Sequence, residues 1–136
     1  MRINPYLNFA GQCREAFTLY QSVFGGELGM TAHKDTPSAQ HVPADMQDKI
    51  MHAILRIGDA VIMGSDAPMA TANDFAGTYI AVHLTTPEEA DRAFAALKDG
   101  GTVEMDLAET FWARRFGMLR DRFGVKWMFN VDQPAP

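Results

Sequence analysis

Residues Glu109 to Asp132 read ETFWARRFGMLRDRFGVKWMFNVD, two strands joined by a turn at Asp121 to Gly124. The stretch holds both tryptophans and four of the nine phenylalanines. From Val125 onward the alternation is strict. Val125, Trp127, Phe129 and Val131 point one way, and Lys126, Met128 and Asn130 the other. Such a strand lays one face under a helix. Its opposite face must tolerate a lysine, a thioether and an amide, as the wall of a lined cup does.

Working back from there, the second half opens with a strand at Thr78 to Thr85, followed by Thr86-Pro87-Glu88-Glu89, a capping box with proline at the first helical position. Ala90, Ala93, Phe94 and Leu97 form the buried stripe of that helix, which Gly100-Gly101 ends. Strands at about Thr102 to Ala108, Trp112 to Arg120 and Val125 to Val131 complete the unit. The first half has the same order. A strand at Ile3 to Phe9 precedes a helix from about Gln12 to Phe24, with an apolar stripe at Ala16, Leu19, Tyr20, Val23 and Phe24. Gly25-Gly26 ends that helix, and a strand at Glu27 to His33 leads into the polar loop DTPSAQHVPADMQD, which lacks periodicity. Ile50 to Ile57 and Ala60 to Ser65 form a hairpin across Gly58-Asp59, and a linker spans Asp66 to Gly77.

The halves match residue by residue in places: Glu15-Ala16 with Glu89-Ala90, Met30 with Met105, Arg56 with Arg120, Met63 with Met128. A βαβββ unit is used twice. The fold class is α+β. Two tandem modules, about 1–66 and 78–132, make one domain over 1–136.

A chain of 136 residues, 47% hydrophobic and 21% charged, is long enough to bury a core. Its apolar runs are too short for a transmembrane helix, and MRINPYLNF lacks the apolar segment of a secretory signal. The cytoplasm is the expected compartment. The one cysteine, Cys13, agrees with reducing surroundings and reads as a small buried hydrophobe, with a reactive thiol as the alternative. A net charge of −5 argues against nucleic acid or an anionic membrane as partner. Arg114, Arg115, Arg120 and Arg122 accordingly read as a solvated hairpin rather than a polyanion site.

A doubled βαβββ module resembles the vicinal-oxygen-chelate superfamily of glyoxalase I, extradiol dioxygenases and the fosfomycin and bleomycin resistance proteins. The chain is more closely similar to PhnB-type proteins. INPYLNFAGQCREAFTLYQSVFGGEL, MHAILRIGDAVIMGSDAP and ETFWARRFGMLRDRFGVKWMFN carry the likeness. The resemblance implies a curved mixed sheet in each module, shaped as a half-barrel with its helix on the outer face, and a site in the cup between the halves. It also implies pairing of modules in a homodimer.

The superfamily's enzymes hold a divalent ion by four ligands, one on the first and one on the last strand of each module. By resemblance those positions fall on Asn4 or Pro5, Met63, Tyr79 and Met128. None is a usual donor for a hard or borderline ion, so no metal and no cofactor is expected. The first position is a question of register. Spacing from the tyrosine favours Pro5, whereas alternation with Leu7 and Phe9 favours Asn4 and brings Tyr6 and Asn8 into the cup.

Strand parity places His52, Arg56, Met63, Ser65, Tyr79, Ala81, His83, Trp112, Arg114, Phe116, Met118, Lys126 and Met128 on the cup side, and Tyr6 joins them in the Asn4 register. This is an aromatic and thioether lining with a few polar groups, suited to a small organic ligand. Of these, Tyr6, His52, Met63, Tyr79, Trp112, Arg114, Phe116, Lys126 and Met128 are the candidate ligand-binding residues. Met63 and Met128 read equally as gap-fillers, and a soft-metal site with His52 is a further reading. His52 is the candidate catalytic residue, as a general base or an orienting group; its structural reading is a satisfied strand histidine. His83 reads as surface. Trp112 and Phe116 read either as a stacking lid or as a cap on the core.

Proteins of this kind sometimes carry a name implying ubiquinone methylation. A methyl-donor site of the usual sort needs a glycine-rich turn from strand to helix, and Phe24-Gly25-Gly26-Glu27 runs from helix to strand. No P-loop, nucleophile elbow or HExxH occurs. Two functions therefore stand. One is a metal-free binding protein that holds a small organic molecule. The other is an enzyme of lyase, isomerase or transferase type, with a glyoxalase-like or dioxygenase-like metal reaction among its forms.

Overall fold

The structure is a computed structural model that describes residues 1–37, 39–67, 70 and 75–134. Ser38 of the polar loop and residues 68, 69 and 71–74 of the expected linker lie outside the described residues. The chain divides into two compact units, Met1–Asp74 and Phe75–Pro136.

The first unit runs β1 (Tyr6–Phe9), α1 (Cys13–Phe24), β2 (Glu27–Ala32), β3 (Ile50–Ile57) and β4 (Ala60–Asp66). Its sheet has the order β1-β4-β3-β2, with β1 parallel to β4 and the other pairs antiparallel. The second unit repeats this with β5 (Ile80–Leu84), α2 (Pro87–Lys98), β6 (Thr102–Ala108), β7 (Ala113–Arg120) and β8 (Lys126–Asp132). Its order is β5-β8-β7-β6, again with one parallel pair, β5 with β8. Each module is thus a four-stranded mixed sheet with one helix, the α+β arrangement expected from the repeat. The equivalences of Met63 with Met128 and of Arg56 with Arg120 hold in the register: Met63 pairs with Ile54, two residues before Arg56, and Met128 with Met118, two before Arg120. Met30 and Met105 fall one position apart, because Met30 pairs with Ala53 while Met105, after a bulge, pairs with Met118.

One face of each sheet lies under its helix. In β8, Trp127, Phe129 and Val131 are at most 1% exposed together with Val125, whereas Lys126, Met128 and Asn130 are half-buried on the other side. On α2 the buried residues are Ala90, Ala93, Phe94 and Leu97, as the periodicity requires. In α1 the stripe is turned from the one expected. Cys13, Ala16, Phe17 and Tyr20 are buried, and Leu19, Val23 and Phe24 lie half-buried at its flank. Phe17 takes the centre because Gly64 on β4 leaves room for it; a Cβ at Gly64 would stand 2.7 Å from the Phe17 ring. Gly117 on β7 does the same for Phe94, whose ring would lie 3.0 Å from an added Cβ.

The two helices begin differently. Thr86 caps α2 from its own chain, accepting the Glu89 N–H at 3.2 Å, and the Glu89 carboxylate receives the Thr85 and Thr86 hydroxyls. Gln12 offers α1 no side-chain cap. Asp66, at the end of β4, fills that role: its Oδ1 accepts the N–H groups of Gly11 at 3.0 Å and Cys13 at 2.9 Å. Its Oδ2 accepts the N–H of Ile50, at the start of β3, at 2.9 Å. A carboxylate at a helix N-terminus also complements the helix dipole.

β1 starts three residues later than the alternation suggested, at Tyr6, because Pro5 has no N–H to donate to a ladder. The Pro5 carbonyl still accepts the Met63 N–H. The polar loop contains three 3-10 turns, His33–Asp35, Ala39–His41 and Ala44–Met46, tied by the Gln47 amide, which donates to the carbonyls of Ala39 and Val42. Strand alternation carries no information about such turns. No helix among the described residues is long and apolar enough to cross a membrane.

Asp66→Ala orphans three backbone N–H groups, two of them in fully buried hydrogen bonds. At about 1–3 kcal/mol for each buried donor left unpaired, urea unfolding should show a loss of about 3 kcal/mol or more. A loss below about 1 kcal/mol contradicts this account of how α1 is held.

Candidate functional site

In the second unit, the side chains facing away from α2 form a continuous surface. Its middle is apolar: Met118 pairs with Met128, Ala81 with Met128, and Phe116 with Asn130. Trp112, just before β7, is 48% exposed and meets the Phe116 ring edge-on at 5.4 Å, with Phe111 against its other side at 4.8 Å. Trp127, by contrast, is fully buried and donates its indole N–H to Asp121 at 2.9 Å.

Polar groups stand at both ends of this surface. At one end the Tyr79 hydroxyl donates to Glu104 Oε2 at 2.5 Å, and Lys126 Nζ stands 3.3 Å from Glu104 Oε1. The same ammonium lies 4.3 Å from the Tyr79 ring centroid and donates to the Ala76 carbonyl at 3.3 Å. The Lys126 side chain is only 13% exposed, and its donors face an aromatic ring, a carbonyl and a carboxylate. The Tyr79 hydroxyl, and to a lesser degree Lys126, hold the Glu104 carboxyl below its usual range. Hydrogen bonding to Tyr79 and then Glu104 holds the Lys126 ammonium above its own.

At the other end, Asn130 donates to Asp132 at 2.6 Å and lies 3.5 Å from Nδ1 of the exposed His83. Arg114 occupies a bulge in β7 and uses two donors on main-chain carbonyls, Asp132 at 2.8 Å and Thr85 at 2.9 Å. It thereby fastens the ends of β8 and β5. Arg115 turns to the helix side and pairs with Asp91 at 3.0 Å.

The open face of the first unit carries Tyr6, Asn8, His52, Met63 and Ser65. Tyr6 pairs with Met63 and Asn8 with Ser65, whose hydroxyl donates to the Asn8 carbonyl oxygen at 3.2 Å. The His52 ring stands 6.0 Å from the Tyr6 ring, and no hydrogen bond reaches its nitrogens among the described residues. The pairing also resolves the first superfamily position. Tyr79 lies two residues before the partner of Met128, and Asn4 lies two before the partner of Met63. Tyr6 and Asn8 therefore face outward from the helix, with Leu7 and Phe9 beneath it.

The positions matched by resemblance are Asn4 and Met63 in the first unit and Tyr79 and Met128 in the second. Two are thioethers, and the phenol of Tyr79 is bonded to Glu104. Among the described residues no group of three His, Cys, Asp or Glu side chains converges as ligands would.

Glu104 was not evident from sequence. Parity gives no face for it, because β6 contains register shifts between Val103 and Met105 and between Met105 and Ala108. The first leaves Glu104 as the extra residue of a bulge, aimed at Tyr79. Cys13 lies under the sheet, fully buried. Burial first, and then the Asp66 carboxylate, push its thiol up to about 12.

Two four-stranded mixed sheets, each with one helix, are those of the glyoxalase and bleomycin-resistance fold. A bleomycin-binding protein from Streptomyces verticillus, solved with copper(II)-bleomycin, superposes with a TM-score of 0.62 at 15% identity, covering 98% of this chain and 97% of that one. Within this class, the family described as 3-demethylubiquinone-9 3-methyltransferase matches residues 1–129, and the chain belongs to that PhnB-like family. The protein YjdN of Escherichia coli K12 is 38% identical over 145 residues, covering 100% of this chain and 99% of YjdN. PA1353 of Pseudomonas aeruginosa is 46% identical with a TM-score of 0.88, covering 98% of this chain and 99% of that one. As to the activity in the family's description, Gly25 and Gly26 follow α1 and enter β2, with φ of 76° and 94°, so these glycines terminate a helix.

The raised Cys13 thiol gives a signed pH dependence. The neutral form is favoured in the folded state, so stability is fully present below the ordinary value of 9.0 and is lost as pH rises from there toward about 12. Between pH 9 and 11, the folding free energy of the wild type should fall relative to Cys13→Ala, approaching about 1.4 kcal/mol per pH unit. Iodoacetamide at pH 8 should label Cys13 only in denaturant. Stoichiometric labelling of the native protein contradicts the assignment.

Proposed function

We propose that the chain is a small-molecule-binding protein that holds a flat, partly apolar organic ligand against the open face of its second sheet. The observation that carries this reading is the half-exposed Trp112 stacked edge-on against Phe116 beside Met118 and Met128. An aromatic ladder left open to solvent, with polar groups fixed at both ends, suits a planar molecule. The open face of the first sheet offers a smaller surface of the same kind in Tyr6, His52 and Met63. Likeness in fold to a bleomycin-binding protein adds support for ligand holding as a use of this architecture. With neither methionine a donor for a hard ion, the binding is metal-free, and elemental analysis of untagged protein should find no stoichiometric divalent metal. Among the polar candidates, His52 on the first sheet has no hydrogen bond to its ring nitrogens among the described residues, whereas Arg114 and Lys126 on the second already hold protein oxygens.

That availability favours one second reading, an enzyme in which His52 acts as a general base. Loss of turnover with retained binding in His52→Gln would distinguish it from simple sequestration. We place the protein in the cytoplasm and propose a homodimer, supported by the exposed apolar groups Val103, Met105, Phe111 and Trp112 around the edge strand β6. Sedimentation at micromolar concentration should give twice the 15.0 kDa chain mass. A monomer sinks the dimer proposal alone.

The two tryptophans test the binding reading. Trp112→Ala should leave thermal unfolding nearly unchanged and weaken ligands found by thermal-shift screening about tenfold, a large effect for loss of one exposed aromatic anchor. Trp127→Ala removes a fully buried indole and should cost about 3–5 kcal/mol of stability. If Trp112→Ala unfolds the protein while Trp127→Ala spares stability and abolishes binding, the two faces have been exchanged.

A further inference from the structure

The end of the second sheet's open face at Tyr79 has a chemical polarity that the candidate residues alone do not disclose. Tyr79 and Lys126 look like donors for an acidic ligand. Both are committed by Glu104: the Tyr79 hydroxyl hydrogen goes to Oε2 and the ammonium stands 3.3 Å from Oε1. The remaining Lys126 directions meet the Ala76 carbonyl and the Tyr79 ring. Lys126 also hydrogen-bonds to Tyr79, so what stays available is the remaining lone pair of the Tyr79 oxygen, beside a carboxylate. Both accept hydrogen bonds and repel anions. Glu104 reaches this place through a bulge in an edge strand, a local departure from regular pairing that serves to aim one side chain.

The other module lacks the arrangement. By register, Glu27 pairs with Arg56 as Thr102 pairs with Arg120, and Gly29 pairs with Ile54 as Met105 pairs with Met118, so the bulge residue Glu104 has no counterpart in the first module; Val61 matches Lys126, and Asn4 matches Tyr79. The trio is therefore an addition to the scaffold and no requirement of it. Arg120, in register with Lys126, adds a cation next to Glu104, so removing the carboxylate exposes two positive groups at once.

We propose that Glu104 is a specificity-determining residue: it makes this end of the face a hydrogen-bond acceptor, selecting ligands with a neutral hydroxyl or N–H donor over carboxylates, sulfonates and phosphates. The inference rests on the binding function proposed above and names the class of ligand. Glu104 acts on the ligand through Tyr79 and Lys126.

The test uses two probes that share a ring system and differ in the head group, 2-naphthol and 2-naphthalenesulfonate, titrated at pH 7 by fluorescence and calorimetry. The wild type should bind the naphthol at least tenfold more tightly than the sulfonate. Glu104→Gln, which removes the negative charge offsetting Lys126 and Arg120 and leaves one neutral acceptor oxygen in place of a carboxylate, should shrink or reverse that ratio by at least tenfold, mainly by gain of sulfonate affinity. Tyr79→Phe, which removes the acceptor, should lose naphthol affinity with little change for sulfonate. Glu104 lies on an exposed edge, and near-UV circular dichroism confirms that each variant is folded; if Glu104→Gln is not, the Tyr79→Phe ratio decides. A wild type that prefers the sulfonate, or a ratio indifferent to both substitutions, overturns the inference while leaving the binding function intact. Failure of both naphthalenes to bind the wild type overturns the binding function, and the inference with it.

Discussion

The carboxylate of Asp121 sets the parity of β8, and the candidate site depends on that parity. Its Oδ1 accepts the N–H groups of Phe123 and Val125 at 2.9 and 3.0 Å, closing the turn between β7 and β8. Its Oδ2 accepts the Trp127 indole N–H at 2.9 Å, which fixes the tryptophan on the helix side. Since successive strand residues face opposite ways, Trp127 inward means Lys126 and Met128 outward. A slip of one residue would bury an ammonium and expose an indole. Asp121 is 2% exposed, so its three bonds form away from water, where an unpaired donor is costly. Asp66 performs the corresponding task in the first unit with different partners, joining β4 to the starts of α1 and β3.

Much of this was legible in the amino-acid sequence because it rests on periodicity. The stripe on α2, the bounds of β6, the hairpin of β3 with β4 and the two faces of β8 follow from spacing and from one capping box. The less legible parts are those in which a distant residue decides. The face of α1 is turned because Gly64, 47 positions on, admits Phe17, and no helical wheel contains that fact. α1 has no local cap because Asp66 supplies one from another strand. Glu104 was missed because two register shifts in β6 break the alternation that would have assigned its side. Candidate residues were easier to place than to interpret: Arg114 and Lys126 lie on the expected face, and their charges are directed at protein oxygens.

The duplicated scaffold also separates what the fold needs from what a ligand needs. Met63 and Met128 occupy the same register in both modules, as do Arg56 and Arg120. Tyr79 and Lys126 stand against Asn4 and Val61, and the bulge residue Glu104 has no counterpart. Features shared by both halves are explained by sheet pairing under a helix. Features present in one half only require another cause, and in the second half they are the polar trio and the Trp112–Phe116 ladder.

The central claim is that the face of the second sheet turned away from α2 receives a planar organic molecule. Methyl-labelled methionine NMR tests it most directly, because Met118 and Met128 lie in the middle of that face with Met105 paired beside Met118, while Met1, Met30, Met46, Met51 and Met63 belong to the first unit. Titration with 2-naphthol should shift and broaden the Met118 and Met128 methyl signals while leaving that of Met46 in the polar loop unchanged. Shifts confined to methionines outside this face, with Met118 and Met128 undisturbed at saturation, would contradict the account.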